Sequence, residues 1–284
     1  MTARMPGAPE AAEAPEAIDL ELPALLDAIY HVYHHDFRRY AARSIGRRIQ
    51  TALIHFRCRT IAALRDRVLR DPAEFGVLLR YLTVQVSDMF RDPDYFRAIR
   101  EQVIPHLQSY AALKIWVAGC ATGEEAYSLA IMLREEGLLA RTLIYATDIH
   151  PESLRIAQAG VYDLARFAGF SGSYLQSGGR GSLSDHYAAA YRGAVLDRGL
   201  RQAIVFADHS LATDSAFAEV QLVSCRNVLI YFDRQLQDRA IGVMRDALCR
   251  KGFLGLGTNE TLRFSAQAAA FCDFVPAVRI YQRS

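Results

Sequence analysis

The chain has 284 residues, of which 51% are hydrophobic and 23% are charged, and its formal net charge is +2. This length suits one large domain or two modest ones, and the composition is that of an ordinary globular protein. A net charge this small excludes a global field that would attract a polyanionic partner. The sequence also has no uninterrupted apolar run of membrane-spanning length. We therefore expect a cytoplasmic protein with no integral membrane segment.

The N-terminal stretch MTARMPGAPEAAEAPEA is rich in Ala, Pro and Glu. It lacks the apolar core of a signal peptide, so we predict a disordered tail over residues 1–18. The five cysteines are scattered and form no CxxC pair. This pattern is typical of reduced thiols in a cytosolic protein.

A helical domain is predicted over residues 19–95, with a linker over 96–112. Its first helix is indicated by apolar residues at helical spacing, namely Leu22, Leu25, Leu26, Ile29 and Tyr33. Further helices are predicted over 44–56 and 60–69, and the segment RDPAEFGVLLRYLTVQV supplies a fourth, with a proline near its start.

Ten arginines and one acid, Asp66, lie between Arg38 and Arg70. They form either a solvated helical face or a basic surface that docks an acidic partner, and the sequence leaves both open. The segment HVYHH has metal-like spacing, but no second Cys or His cluster completes a site, so no metal is predicted. No nucleic-acid recognition module is evident, and we predict no nucleic-acid partner.

After Pro105, short apolar runs alternate with helical segments. LKIWVAG, TLIYATD, AIVFADH, VQLVSCRN, GFLGLG and AVRIYQR are predicted as strands. EEAYSLAIMLREEG, HPESLRIAQAG and DRQLQDRAIGVMRDAL are predicted as helices. This alternation predicts an α/β domain over residues 113–284, with a mostly parallel sheet covered by helices on both faces. Residues 168–198 are rich in Gly, Ser and Tyr and are predicted as an inserted small antiparallel β unit.

The turn between the first strand and its helix, AGCATGEEA, is the first candidate for a ligand site. In a doubly wound sheet this turn lies at the ligand crevice, and Gly119 and Gly123 allow close backbone approach. The spacing GxxxG is not the dinucleotide fingerprint, and an ordinary glycine turn is the alternative. Glu124 and Glu125 at the start of the helix argue against a phosphate, although the helix amides can bind another anion.

Asp148 ends the second predicted strand, where nucleoside-binding sheets grip ribose hydroxyls. The alternative is that Asp148 caps the helix that follows in HPES. Asp148 and the glycine turn together favour a nucleoside ligand without a pyrophosphate group. S-Adenosylmethionine fits, because its ammonium and sulfonium groups are compatible with nearby glutamates.

The segment VSCRNVLIYFDRQ follows another strand at the same edge of the sheet. Arg226 could bind a substrate carboxylate through its planar fork, and Tyr231 could orient that carboxylate by a hydrogen bond. The alternative is that Arg226 is a structural ion-pair partner and Tyr231 belongs to the core.

The motifs AGCATGEEAYSLA, YATDI, SCRNVLIYF and GFLGLGTNE resemble those of the CheR family, the chemoreceptor glutamate O-methyltransferases. DFRRY, GRRI and SDMFRDP resemble that family's helical domain and junction, so the resemblance covers residues 20–284. It implies a small all-helical N-terminal domain, a Rossmann-like methyltransferase domain dependent on S-adenosylmethionine, and an inserted small β-subdomain.

The resemblance, with the glycine-turn analysis, gives a set of site residues. The predicted cofactor-binding residues are Gln85, Ser87, Arg91, Gly119, Glu124, Glu125, Asp148, Ser210, Leu211, Asn227 and Val228. The predicted catalytic residues are Tyr231, which orients the nucleophile, and Arg226, which holds the substrate or the local loop.

The sequence departs from the family pattern at several positions. Gln85 and Ser87 stand where the family often has Asn and Thr, and both keep hydrogen-bonding capacity. Met89 replaces a usual Phe and Ser210 a usual Asn; the second change shortens a possible adenine contact. The pairs of arginines common in the family's receptor-facing helix give way to Thr51 and Ala52 in RRIQTAL, so the receptor that is recognised stays open.

The implied reaction moves a methyl group from sulfur to glutamate carboxylates of chemoreceptors and forms methyl esters. A glutamate with a pKa of about 4.3 is already ionised at neutral pH and needs no general base. The implied partners are the cytoplasmic domains of chemoreceptors, with the enzyme acting as a monomer. Two alternatives remain: a regulatory module that binds S-adenosylmethionine without transfer, and a methyltransferase for a different protein acceptor.

Overall fold

The structure, a computed structural model, describes residues 15–191 and 193–284, with side chains from residue 21 onward. These residues form two compact units that divide between Leu82 and Thr83. Residues 1–14 of the predicted tail lie outside the described residues, and the first helix begins at Pro15. No helix in the described part combines the length and apolar character needed to cross a membrane.

The first unit is built from helices α1 (Pro15–Tyr33), α2 (Ala42–Phe56), α3 (Ile61–Arg70) and α4 (Pro72–Leu82). Helix α3 begins where the Thr60 hydroxyl accepts a hydrogen bond from a backbone amide, as an N-cap does. Proline is the first residue of α4, where its missing N–H costs no helical hydrogen bond.

Helix α2 buries one face and exposes the other. Its buried side chains are Ile45, Ile49, Ala52 and Phe56. Ala52 is fully buried, whereas Thr51 is exposed and donates its hydroxyl to the Arg47 carbonyl at 3.2 Å. Position 52 therefore belongs to the core of this unit, and of the two departures from the family pattern only Thr51 contributes to its surface.

The second unit opens with helical structure before its sheet. Helix α5 (Pro93–Ala98), a π-helical turn (Ile99–Val103) and α6 (Ile104–Leu107) follow one another directly. Ile99 and Val103 are fully buried. Most of the segment predicted as a linker is therefore helical, and it contributes side chains to the core.

Ten strands follow in the part of the chain that the structure describes. They are β1 (Leu113–Ala118), β2 (Thr142–Asp148), β3 (Val161–Asp163), β4 (Tyr187–Ala190), β5 (Gly193–Leu196), β6 (Ile204–Asp208), β7 (Val220–Cys225), β8 (Leu248–Leu256), β9 (Phe271–Val275) and β10 (Ile280–Arg283). Seven of them form one sheet in the order β6-β2-β1-β7-β8-β10-β9. The first five are parallel, and β10 is antiparallel to both of its neighbours. The predicted α/β fold with a mostly parallel sheet is confirmed.

Helices α7 (Glu124–Glu135), α8 (Pro151–Ala159), α9 (Phe167–Gln176), α10 (Arg198–Gln202) and α11 (Arg234–Ala247) complete the unit. Of the ten residues from Glu124 to Leu133 in α7, nine are buried, and Glu125 is partly buried. A helix that is buried on nearly all sides belongs to the interior, so α7 fixes the turn that precedes it.

A separate three-stranded antiparallel sheet has the order β3-β5-β4. Strands β4 and β5 lie within the segment predicted as an inserted β unit, and β3 precedes that segment. Strand β3 has only three residues, too few for an alternating pattern to be recognised in the sequence.

The parallel strands end at one edge of the large sheet, at Ala118, Asp148, Asp208, Cys225 and Leu256. The loops that leave this edge carry most of the predicted site residues. In open α/β sheets, ligands bind in the crevice at this edge.

Candidate active site

The loop after β1 is held against the neighbouring strand and against the loop after β7. The amides of Gly119 and Cys120 donate to the Thr147 carbonyl at 2.8 and 2.9 Å. Gly119 has a φ of +74°, and a Cβ there would lie 2.4 Å from Cγ2 of Val228. Both the left-handed conformation and the close packing therefore require glycine at this position.

Asp148 ties this loop to the end of β2. Its Oδ2 accepts a hydrogen bond from the Ala121 amide at 2.8 Å, and its Oδ1 accepts one from the His150 amide at 3.0 Å. The N-cap of α8 is His150, whose Nδ1 accepts from the Ser153 amide, so Asp148 is not the helix cap. Burial raises the pKa of Asp148, although the two amides oppose the rise. The side chain is half-buried, and its oxygens retain capacity to accept hydroxyl hydrogens.

Glu124, the first residue of α7, is fully buried. Its Oε2 accepts the Thr122 hydroxyl at 2.6 Å, and its Oε1 pairs with Nη1 of Arg166 at 2.8 Å. Arg166 also donates to the carbonyl of Ser87. Burial raises the pKa of Glu124, while the hydrogen bonds to Thr122 and Arg166 act in the opposite direction. This carboxylate links the Ser87 segment to the β1 loop, and its predicted contact with the cofactor stays a prediction.

Glu125 points to the neighbouring strand β7. Its Oε1 accepts the Ser224 hydroxyl at 2.7 Å, and its Oε2 accepts from Nη1 of Arg226 at 3.0 Å. The Tyr95 hydroxyl lies 2.8 Å from the Ser224 hydroxyl. A chain of hydrogen bonds therefore runs from Tyr95 to Glu125 and fixes the orientation of the carboxylate.

Arg226 is buried, with a side chain that is 1% exposed, and both of its Nη atoms are bound to protein groups. In addition to Glu125, its Nη2 donates to the Arg91 carbonyl at 3.0 Å and to Asp92 Oδ2 at 2.6 Å. The guanidinium lies 4.2 Å from the centroid of the Tyr95 ring. This geometry is that of a structural ion-pair partner, and a direct hold on a substrate carboxylate would require Arg226 to give up these contacts.

Glu260, which is not among the predicted site residues, shapes the loop after β7. Its buried carboxylate accepts amides from Asn227 at 3.0 Å, Val228 at 2.8 Å, Gly257 at 2.6 Å and Ile230 at 3.4 Å. Burial raises the pKa of Glu260, and these amides oppose the rise. The sequence feature that could have identified Glu260 is an acid just after a glycine turn at the end of a strand.

Of the predicted junction residues, Gln85 makes its contacts through its side chain, whereas Ser87 and Arg91 make theirs through backbone carbonyls. Gln85 Nε2 donates to the Thr83 hydroxyl at 2.6 Å, and its Oε1 accepts the Ser153 hydroxyl of α8. Ser87 and Arg91 contribute their carbonyls, as described above, and the Arg91 side chain is exposed.

The loop after β6 is less closely joined to the others. The His209 amide donates to the Asp148 carbonyl at 3.4 Å. The Ser210 hydroxyl accepts from the Ala212 amide of its own loop, and Leu211 is buried. Tyr231 ends a short 3-10 turn and is half-buried, so it is not a core residue.

The chemistry of these groups fits S-adenosylmethionine. A half-buried carboxylate at the end of β2 can accept ribose hydroxyls, and the glycine loop allows backbone approach. Carboxylates in this region also suit a ligand with cationic centres. The arrangement offers positioning and electrostatic complementarity, and its acids are already bound by protein groups.

Comparison with known proteins supports this assignment. The family model for the CheR methyltransferase SAM-binding domain matches residues 85–275, and the model for the CheR all-alpha domain matches residues 20–83. The Pseudomonas putida protein Cher3 is 53% identical over 94% of this chain and 97% of its own length. A chemotaxis protein methyltransferase of Listeria innocua is 29% identical over 80% of this chain and 84% of its own length. Chemotaxis protein methyltransferase 2 of Pseudomonas aeruginosa is 30% identical, with coverages of 77% and 78%. The chain belongs to the CheR methyltransferase family and is an S-adenosylmethionine-dependent methyltransferase.

Proposed function

We propose that this enzyme methylates glutamate side-chain carboxylates in the cytoplasmic domains of chemoreceptors and so forms glutamate methyl esters. The names of the Listeria and Pseudomonas aeruginosa relatives, chemotaxis protein methyltransferases, support a chemotaxis substrate. The observation that carries the proposal is that protein groups already bind the acids around the site, because this favours an acceptor that needs no general base.

Three carboxylates of the site are engaged at both oxygens. Glu124 binds Thr122 and Arg166, and Glu125 binds Ser224 and Arg226. Glu260 accepts backbone amides at both of its oxygens. An amine acceptor would have to lose a proton before attack, whereas a glutamate acceptor is ionised at neutral pH with a pKa of about 4.3. A site of this kind contributes by aligning and partly desolvating the nucleophile.

The charges of the site agree with this reaction. S-Adenosylmethionine, when bound, supplies an electrophilic methyl group on a cationic sulfur. Since the acceptor is an anion, charge is lost as the methyl group moves, and an unpaired cation at the acceptor would stabilise the ground state more than the transition state. The ion pairs of Arg226 with Glu125 and Asp92 reduce that effect.

Within this proposal, Arg226 is a positioning residue that fixes Glu125 and the Arg91 segment. Tyr231 orients the acceptor carboxylate with its hydroxyl. Asp148 accepts hydroxyls of the cofactor's ribose.

The test uses methyl-labelled S-adenosylmethionine, the purified protein and membranes that carry the host's own chemoreceptors. We expect label in a receptor band, and its release as methanol in mild alkali identifies a carboxyl methyl ester. Asp148→Ala serves as the control, and it should lose the signal together with cofactor affinity. Measurable cofactor binding without labelled receptor would overturn the proposal and favour a regulatory module or a different acceptor.

A further inference from the structure

Next to Tyr231, four side chains form an exposed patch, which we call the rim patch. Its members are Ile230, Arg234, Arg263 and Phe264. Phe264 is 62% exposed and Ile230 is 40% exposed, although both are large and apolar. A cavity of about 80 Å³ lies among Ile230, Arg234 and Phe264. Exposed apolar side chains gathered beside polar groups mark interaction sites more often than isolated ones do.

Both arginines of the rim patch are directed to the exposed ring. The guanidinium carbon of Arg234 lies 5.1 Å from the Phe264 ring centroid, and that of Arg263 lies 5.9 Å from it. Both residues are exposed, and over the described ranges neither guanidinium has an ion pair or a hydrogen bond. The rim patch therefore presents two positive charges around an aromatic ring.

Two acids near the rim patch, Asp238 and Glu260, accept hydrogen bonds from backbone amides. Asp238 accepts the Ala266 amide at 3.0 Å. Glu260 is buried and bound to backbone amides. The two arginines and the aromatic ring of the rim patch therefore complement an acidic partner.

The rim patch is fixed relative to the loop that carries the predicted acceptor-side residues. The Glu260 carboxylate that binds the Ile230 amide also binds the amides of Asn227 and Val228. Tyr231 directly follows Ile230, and α11 begins at Arg234. A protein segment that meets the acceptor side of the site would therefore pass beside this patch.

We propose that the rim patch docks an acidic, amphipathic helical segment of the methyl-accepting protein, next to the glutamate that is methylated. Phe264 and Ile230 contact its apolar side chains, and Arg234 and Arg263 pair with carboxylates on neighbouring turns. Side chains three or four residues apart lie on one helix face, so one segment can offer both kinds of contact. This inference rests on the proposed function and adds a substrate-selecting surface to it.

The test compares the unaltered enzyme with the double variant Arg234→Glu/Arg263→Glu in methyl transfer to a purified chemoreceptor cytoplasmic domain. We expect a roughly tenfold or larger rise in KM, since reversed charges at an interface repel a complementary partner, with kcat little changed. Arg250→Glu is the matched control: Arg250 is exposed and lies near the start of β8, at the opposite end of the strand from the site. Calorimetric affinity for S-adenosylmethionine should be equal in all three proteins.

A second acceptor tests the partner's chemistry. In it, the glutamates and aspartates within seven residues of the methylated position are changed to Gln and Asn. The unaltered enzyme should lose affinity for this acceptor, and the double variant should no longer differ from the unaltered enzyme. Equal KM values for the unaltered enzyme and the double variant with the original acceptor would overturn the inference. Failure of the proposed function looks different, because the unaltered enzyme would then form no receptor ester at all.

Discussion

Helix α7 carries two adjacent glutamates at each end, and the two pairs are held differently. Glu124 and Glu125 begin the helix, where the macrodipole favours negative charge. Glu135 is its last residue and Glu136 is its C-cap, where the macrodipole opposes negative charge. The first pair is divided between two arginines from different elements, whereas the second pair shares Arg100.

The hydrogen-bond and ion-pair partners of these glutamates affect their pKa values more than their position along the helix does. Arg100 lies 2.6 Å from both Glu135 and Glu136, and the Tyr174 hydroxyl donates to Glu135. Burial acts to raise the pKa of Glu135, but hydrogen bonds from His186, Tyr174 and Arg100 exceed that effect and lower it to about 2. For Glu124 burial prevails and raises the pKa. Glu124 and Glu135 thus have pKa values shifted in opposite directions, and only Glu124 adjoins the site.

The largest effect is expected from removing the arginine that both C-terminal glutamates share. Arg100→Ala leaves two carboxylates, which are 10% and 9% exposed, without their main cation. Loss of one partner from a buried ion pair costs about 3–5 kcal/mol, so we expect a fall of about 4 kcal/mol in the free energy of unfolding. Urea denaturation followed by circular dichroism measures it.

The matched control is Arg97→Ala, one helical turn earlier in the chain. Arg97 is 46% exposed and pairs with Asp94, which is 79% exposed. Exposed pairs contribute about 0–1 kcal/mol, so this variant should be nearly as stable as the parent. If Arg100→Ala and Arg97→Ala lost similar stability, the ion pairs of Arg100 would contribute no more to stability than the exposed pair of Arg97 with Asp94.

Arg226→Met tests the corresponding arginine at the N-terminal end. It should cost about 3 kcal/mol, less than Arg100→Ala, because Asp92 is 43% exposed and can be hydrated again once its partner is lost. Because Glu125 and the Arg91 carbonyl lose their donor, affinity for S-adenosylmethionine should fall as well. Denaturation and calorimetry give the two quantities. Unchanged stability and cofactor affinity with lost transfer would instead indicate direct contact between Arg226 and the acceptor.

The long, regular strands were the part of the fold that the sequence could predict. Alternating apolar runs predicted β1, β2, β6, β7 and β8, since long strands and helices carry their own periodicity. Strand β9 was not predicted, because it is a five-residue edge strand with only partly buried or exposed side chains.

The partners of the site residues were harder to predict than the residues themselves. Arg166 lies 42 positions from Glu124, and Tyr95 lies 129 positions from Ser224. Pairs so distant in the chain leave no local pattern, so the glutamates were recognised as a feature of the turn while their ion pairs were not. The same distance hid Glu260, whose amide partners include Asn227, 33 positions away.

Glu135→Gln should produce a pH-dependent loss of stability. The pKa is lowered from 4.5 to about 2 in the folded state, so the ionised form stabilises the fold above pH 4.5. The variant should be less stable than the parent by roughly 3 kcal/mol at pH 7. As the pH falls from 4.5 to about 2, the parent takes up a proton and the difference should vanish. Urea denaturation at pH 7, 4 and 3 follows it, and a difference that did not change with pH would contradict the lowered pKa.

Glu124→Gln should give the smallest loss and the opposite pH dependence. Glutamine can still accept the Thr122 hydroxyl, but it no longer pairs as an anion with Arg166, so we expect a loss of about 1 kcal/mol at pH 7. The pKa of Glu124 is raised, so its contribution to stability is complete below the unfolded value of 4.5 and declines as the pH rises through the folded value. The difference in unfolding free energy between the parent and Glu124→Gln should therefore grow as the pH is lowered from 7 to 4.5. Over the same pH range, the difference between the parent and Glu135→Gln should stay constant. Parallel denaturation series for the two variants test the sign directly, and curves that moved in the same direction would show that the two ends of α7 do not differ in the way described.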